Sequence, residues 1–244
     1  IEITSARTRG LTIGNSTNTN GSLTLNGTTV NSVSNVILRN NSNQLLTIQN
    51  SGGGSGLLGV VLANSTENII NIDGTGGITI SSIISGTSRN LTKAGSGAGV
   101  LTLSGVNTYS GNTTISSGTL ALSGSGSIAN SPNIIVGSGG TFNVTALTTA
   151  LSLGASQKLS GSATASNTTG TITVTNTRGI TLSAGGLAFT AYGGGSTAPL
   201  TVTGASAGAL ALNSAPVTVT TTTALAAGTY TLIAKGGSAT GVTG

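Results

Sequence analysis

The 244-residue chain contains no cysteine, histidine, tryptophan or methionine, and its acidic residues are only Glu2, Glu67 and Asp73. Without thiols there are no disulfides and no thiolate ligands, so cysteine usage assigns no redox compartment. Metal-dependent or acid–base catalysis draws on clustered carboxylates or imidazoles, and here Glu67 and Asp73 alone are close in sequence. These two read as solvated loop acids. A nucleophilic Ser or Thr needs a base, yet the lysines Lys93, Lys158 and Lys235 are widely separated. The expectation is a chain with no catalytic, metal or cofactor-binding residue, one that is not an enzyme.

Aromatic side chains are equally scarce: Tyr109, Phe142, Phe189, Tyr192 and Tyr230. Five rings cannot fill the broad core of a compact globule of this length, whereas a narrow aliphatic core requires none. Tyr109 reads as a corner side chain packing on its neighbours, and Tyr192, flanked by glycine, as less constrained. The net charge of +5 comes from eight scattered basic residues, Arg7, Arg9, Arg39, Arg89, Lys93, Lys158, Arg178 and Lys235. They form no basic stripe interleaved with aromatics, so nucleic acid is not an expected partner. The longest near-continuous apolar run, Leu57 to Ala63, is far too short for a membrane-spanning helix. Residues 1–10 lack the apolar centre of a signal peptide, and the sequence reads as a mature or internal piece of a longer chain.

What the chain has in quantity is glycine, 40 residues of it, with Ser, Thr and Asn, and aliphatic residues bring the hydrophobic share to 36%. That is enough apolar surface to fold. The aliphatics recur as apolar–polar–apolar triplets, the period-2 signature of a short strand. Examples are Leu11/Ile13, Leu23/Leu25, Ile78/Ile80, Leu101/Leu103, Leu120/Leu122, Leu151/Leu153, Ile172/Val174, Leu200/Val202, Leu210/Leu212, Val217/Val219 and Tyr230/Leu232. GSLTLN from Gly21, GVLTLS from Gly99, GTLALS from Gly118 and GALALN from Gly208 constitute an internal repeat. Pro132, Pro199 and Pro216 each fall just before an apolar stretch, where a strand start tolerates them.

No window carries a helical apolar stripe, and the turn-forming linkers oppose helix throughout. A sandwich would show longer strands and aromatic anchors, and a propeller a repeat of about 40 residues. Strands this short are stable when each pairs with its equivalent one winding on, so the fold class is all-β, a β-solenoid running as one elongated domain over residues 1–244. Coils of about 20 residues predict roughly 10 to 12 windings and, at ~4.8 Å per coil, a rod on the order of 50 Å long. Stability then rests on stacked aliphatics and backbone ladders, with weak dependence on salt and pH.

Residues 91–122, LTKAGSGAGVLTLSGVNTYSGNTTISSGTLAL, carry Leu91-Thr92-Lys93, then Gly99 to Leu103, Asn107-Thr108-Tyr109-Ser110-Gly111, Thr113 to Ile115, and Gly118-Thr119-Leu120. This segment resembles the autotransporter-associated β-strand repeat of bacterial passenger proteins, with a family-like region reaching residue 147. The resemblance implies a right-handed parallel β-helix, export to the bacterial surface or medium, and a scaffold or adhesive role without shared catalytic residues.

The remaining signals are compositional. The glycine runs at 51–56 and 193–196 lack the Lys-Ser/Thr of a phosphate-binding loop and read as corners. Sequons at Asn15, Asn64, Asn112 and Asn143 are what chance gives in an Asn- and Thr-rich chain. The expected role is that of an extracellular structural subunit whose partner is itself, through end-to-end stacking into a fibre. The alternative is an adhesin that presents hydroxyl and amide ladders to glycans or neighbouring cells. A third reading, ice binding, rests on Thr12, Thr24, Thr79, Thr102, Thr201 and Thr218 at mid-strand positions, a series interrupted by Ala121, Ser152, Ala188 and Ala211.

Overall fold

A computed structural model describes residues 1–4, 9–14, 19–50, 57–161, 170–174, 179–190, 192–194, 197–204, 209–221, 223–236 and 241–243. Strands 170–174 and 241–243 and residues 204 and 209 are described by their backbone alone. The chain winds as a parallel β-helix. One sheet is built, in order, from Glu2–Ile3, Val33–Asn40, Asn68–Ile72, Leu91–Ala94, Thr113–Ile115, Asn133–Val136, Lys158–Gly161, Leu187–Phe189 and Val217–Val219. A second runs alongside it through Leu11–Gly14, Leu46–Gln49, Ile78–Ile80, Val100–Leu103, Gly118–Gly124, Gly140–Leu147, Gly170–Val174, Leu200–Gly204 and Ile233–Lys235. Every neighbouring pair in these two series is parallel.

A third face closes each coil, but discontinuously. Early coils contribute Gly21–Leu25, Leu58–Leu62 and Ile84–Ser85, and late coils Leu151–Ser152, Ile180–Thr181, Ala209–Ala211 and Gly241–Thr243. Between them the face thins to a single bridge, Val106 with Ser127. Coil length follows this change. The first coil carries Ile3 to its partner Asn40, 37 residues on, whereas Leu101 reaches Leu120 in 19. The described stack therefore has nine windings and not the expected ten to twelve, because most coils carry a third strand that the triplet spacing did not separate from the other two.

The core is the line where inward positions superpose. Ile78, Leu101, Leu120 and Phe142 form one column in register, and Ile80, Leu103 and Leu122 the next, all at most 1% exposed. Alternation makes this automatic: with a side-chain period of two, a parallel partner in register places like on like. Pro132, Pro199 and Pro216 directly precede strands, as expected. The triplet Tyr230/Leu232 is not a strand, since pairing starts only at Ile233. The glycine-led motifs also divide among faces. Those from Gly99 and Gly118 lie one coil apart in the second sheet, while that from Gly21 sits on the third face, and Gly208 lies outside the described residues. The motif specifies a strand without specifying which face receives it.

An antiparallel hairpin interrupts the winding where Thr28–Val30 folds back on Val33–Asn40. Its two-residue turn places Asn31 at φ 47° and Ser32 at φ 65°, the paired left-handed conformation that suits the twist of a hairpin. Buried amides fasten the corners. Asn40 donates to the carbonyls of Gln44, Gly76 and Gly77, Asn68 to those of Asn64 and Asn90, and Gln157 to those of Ile128 and Ser131. Each thereby adds a side-chain donor to carbonyls at the corners, where the strand ladders end. Gly76 permits the close stacking there: a Cβ at this position would stand 2.1 Å from the carbonyl oxygen of Gln44.

Replacing Leu101, fully buried between Ile78 and Leu120, by aspartate puts an unpaired carboxylate in the aliphatic column. The expected loss is several kcal/mol, about 2–7 by the cost of burying an unpaired polar group, read as a lower midpoint of thermal unfolding by circular dichroism. An unchanged midpoint contradicts the column.

Candidate functional site

The three acids do not converge. Glu2 and Asp73 flank one guanidinium, that of Arg39, whose side chain is 8% exposed. Asp73 Oδ2 accepts from Arg39 Nη2 at 3.0 Å and Glu2 Oε1 from Nη1. Since Glu2, Arg39 and Asp73 belong to three successive windings, this ion triad staples the first coils. Glu67 is engaged elsewhere, accepting from the Thr92 hydroxyl at 3.1 Å and from the backbone N–H of Asn68 at 3.2 Å. Reading Glu67 and Asp73 as solvated loop acids is thus corrected: a neighbouring coil holds each carboxylate. Among the described residues no three His, Cys, Asp or Glu gather as a metal cluster would require.

Tyr109, 1% exposed, donates to or accepts from the Thr113 hydroxyl at 2.7 Å; Thr113 bonds Ser131 at 2.9 Å, which donates to the carbonyl of Gly111 at 2.9 Å. This buried relay crosses from one coil to the next. Burial pushes the Tyr109 phenol well above its ordinary value, and the bond to Thr113 only partly offsets that. Tyr192 differs from expectation, being 3% exposed and edge-on to Tyr230 with ring centroids 6.1 Å apart. Flanking glycines set its backbone freedom and left its packing unread.

Lys93 is the residue that sequence reasoning missed. It has no exposed surface and sits in the first sheet between Ile70 and Ile115, both core members. Its Nζ donates to the carbonyl oxygens of Ala94 at 2.7 Å and Ser117 at 3.3 Å. Desolvation lowers its pKa to about 8, against a smaller opposing pull from Asp73. The signal was present: in Leu91-Thr92-Lys93 the lysine shares the parity of the buried leucine. Of the other lysines, Lys158 and Lys235 are exposed.

The threonine series is reorganised by the winding. Thr12, Thr47, Thr79 and Thr102 stand in register across four coils of the second sheet. Ala121 and Asn143 continue that column. Two residues along the strands, Thr119, Thr141, Thr171 and Thr201 make a second column. Thr24 and Thr218 belong to other faces, as do three of the four interruptions, Ser152, Ala188 and Ala211. Uneven spacing in sequence therefore coexists with regular spacing in the fold, because coils differ in length while register is kept.

Of the sequons, Asn64 donates to Asn35 Oδ1 at 2.9 Å and Asn112 Oδ1 accepts from Asn133 at 2.8 Å, so both amides are used internally. Asn143 Oδ1 accepts from the N–H of Thr145. Asn15, Arg7, Arg178 and the glycine run 51–56 lie outside the described residues, as do positions 195 and 196 of the run 193–196.

Against this geometry, the family Passenger-associated-transport-repeat matches residues 91–122. The matched segment spans two strands of each main sheet, Leu91–Ala94 with Thr113–Ile115 and Val100–Leu103 with part of Gly118–Gly124, and it contains both Lys93 and Tyr109. The segment is similar to repeats of the autotransporter passenger type, a family of secreted or surface-exposed proteins. Neither curated proteins nor solved structures gave a match.

Changing Tyr109 to phenylalanine removes the first member of the relay and keeps the ring. The expected cost is about 1–2 kcal/mol, measured by denaturant unfolding, with no change in far-ultraviolet circular dichroism.

Proposed function

We propose that the chain is an extracellular structural β-solenoid, without catalytic activity, that lengthens by end-to-end stacking into a surface fibre. The observation that carries this reading is the match at 91–122 to a passenger repeat, set in a stack whose coils all bond the same way. Its terminal described coils each expose three strand edges: Glu2–Ile3, Leu11–Gly14 and Gly21–Leu25 on one side, Val217–Val219, Ile233–Lys235 and Gly241–Thr243 on the other. Val217 and Val219 are 43% and 39% exposed there, at positions whose partners Leu187 and Phe189 are buried. Among the described residues these strands pair along one edge only. A parallel edge with open aliphatic positions is a template for another layer, and a head-to-tail contact between copies repeats without closing.

The threonine columns favour a second reading, adhesion to a neutral glycan surface. Thr12, Thr47, Thr79 and Thr102 offer hydroxyls and methyls at ~4.8 Å intervals across the second sheet.

Electron microscopy and sedimentation of the purified chain over rising concentration test the fibre. Filaments with a ~4.8 Å axial repeat are expected. Monomeric rods at every concentration overturn stacking and assign those edges to further coils of the same chain. A glycan array tests adhesion: hits that vanish in a Thr79→Lys/Thr102→Lys double variant support it, and an array without hits rejects it.

A further inference from the structure

A lysine ammonium normally reaches water or a carboxylate, because an ionised amine in an apolar interior is costly. Lys93 has neither arrangement. Its stem replaces an aliphatic residue in the column running through Leu38, Ile70, Ile115 and Val136. Among the described residues its amine is in no ion pair, and the charged group whose field reaches it is Asp73, whose carboxylate is already taken by Arg39.

The corner of the next coil is shaped to receive this amine. Ser117 presents its carbonyl to Nζ, and Gly118 follows with φ 68° and no side chain. A Cβ on Gly118 would stand 2.7 Å from Nζ. A second tie joins the same two corners, the Ser116 hydroxyl donating to the backbone carbonyl of Lys93 at 3.0 Å. A neutral amine has two N–H groups, which the Ala94 and Ser117 carbonyls satisfy. An ammonium has three, together with a charge for which the column offers no counterion.

We propose that Lys93 is a proton-gated latch between two windings of the passenger-type repeat: neutral, it ties the Ser117–Gly118 corner to the strand Leu91–Ala94, and protonated, it loosens the coils around residues 91–122. The sign follows from linkage. The folded amine titrates near 8 and the unfolded one near 10.5, so between these values the unfolded chain binds more protons and stability rises with pH. The rise approaches about tenfold in the folding constant per pH unit. Tyr109 acts oppositely only above about pH 10, where the unfolded phenol ionises and the buried one does not. On this proposal stability is greatest in mildly alkaline solution, in contrast to the weak pH dependence that the composition suggests.

Denaturant unfolding of the whole chain between pH 7 and 9.5 tests the latch against Lys93→Met, which keeps the length and removes the charge. The wild-type folding constant is expected to climb with pH and the variant's to stay level. A level wild-type profile, or a variant that still climbs, overturns the proposal. The lysine Nζ resonances of the wild-type protein give an independent reading should the variant not fold: one amine titrating near pH 8 supports the latch, and all three near 10.5 reject it.

Discussion

The backbone ladder from each winding to the next is the interaction on which everything else depends. A strand of three or four residues, alone, cannot repay the entropy of ordering it. Bonded on both edges to its equivalents, it becomes part of a nine-strand sheet. Register then does the work that side-chain variety does in a globule: leucine lands on isoleucine and threonine on threonine. The scarcity of ions, rings and sulfur follows, since a narrow core of stacked columns needs little beyond aliphatics.

Polar groups in such a core must be placed with care, and the protein uses three devices. Amides at the corners, Asn40, Asn68 and Gln157, satisfy carbonyls that leave the sheets. The relay from Tyr109 through Thr113 to Ser131 ends on the backbone carbonyl of Gly111 within the interior. The Glu2–Arg39–Asp73 triad, by contrast, sits at the outer edge of the first sheet, where partial exposure softens the cost of charge. Lys93 fits none of these and stands apart as the only lysine held inside.

The solenoid itself was legible in the sequence because period-2 triplets of aliphatics, too short to pair in hairpins, leave few other solutions. So was the passenger-type segment, whose motif residues are closely spaced. Face assignment was not: Leu23/Leu25 and Leu101/Leu103 look alike in sequence and lie on different sheets. What separates them is coil length, and that depends on how many residues each corner absorbs, a property of the three-dimensional path. The same ignorance concealed the threonine columns, whose members are 35, 32 and 23 residues apart from Thr12 to Thr102. Lys93 was hidden for a different reason. A charged side chain is ordinarily solvated, and only the parity of Lys93 with Leu91 points inward.

The uneven third face has a mechanical and evolutionary corollary. Because the two main sheets keep their pairing while a coil grows from 19 to 37 residues, extra sequence enlarges the girth of the rod and leaves its pitch untouched. Length changes at that face are therefore tolerated independently, winding by winding. Such a scaffold can exchange its lateral decorations freely while its axis stays the same.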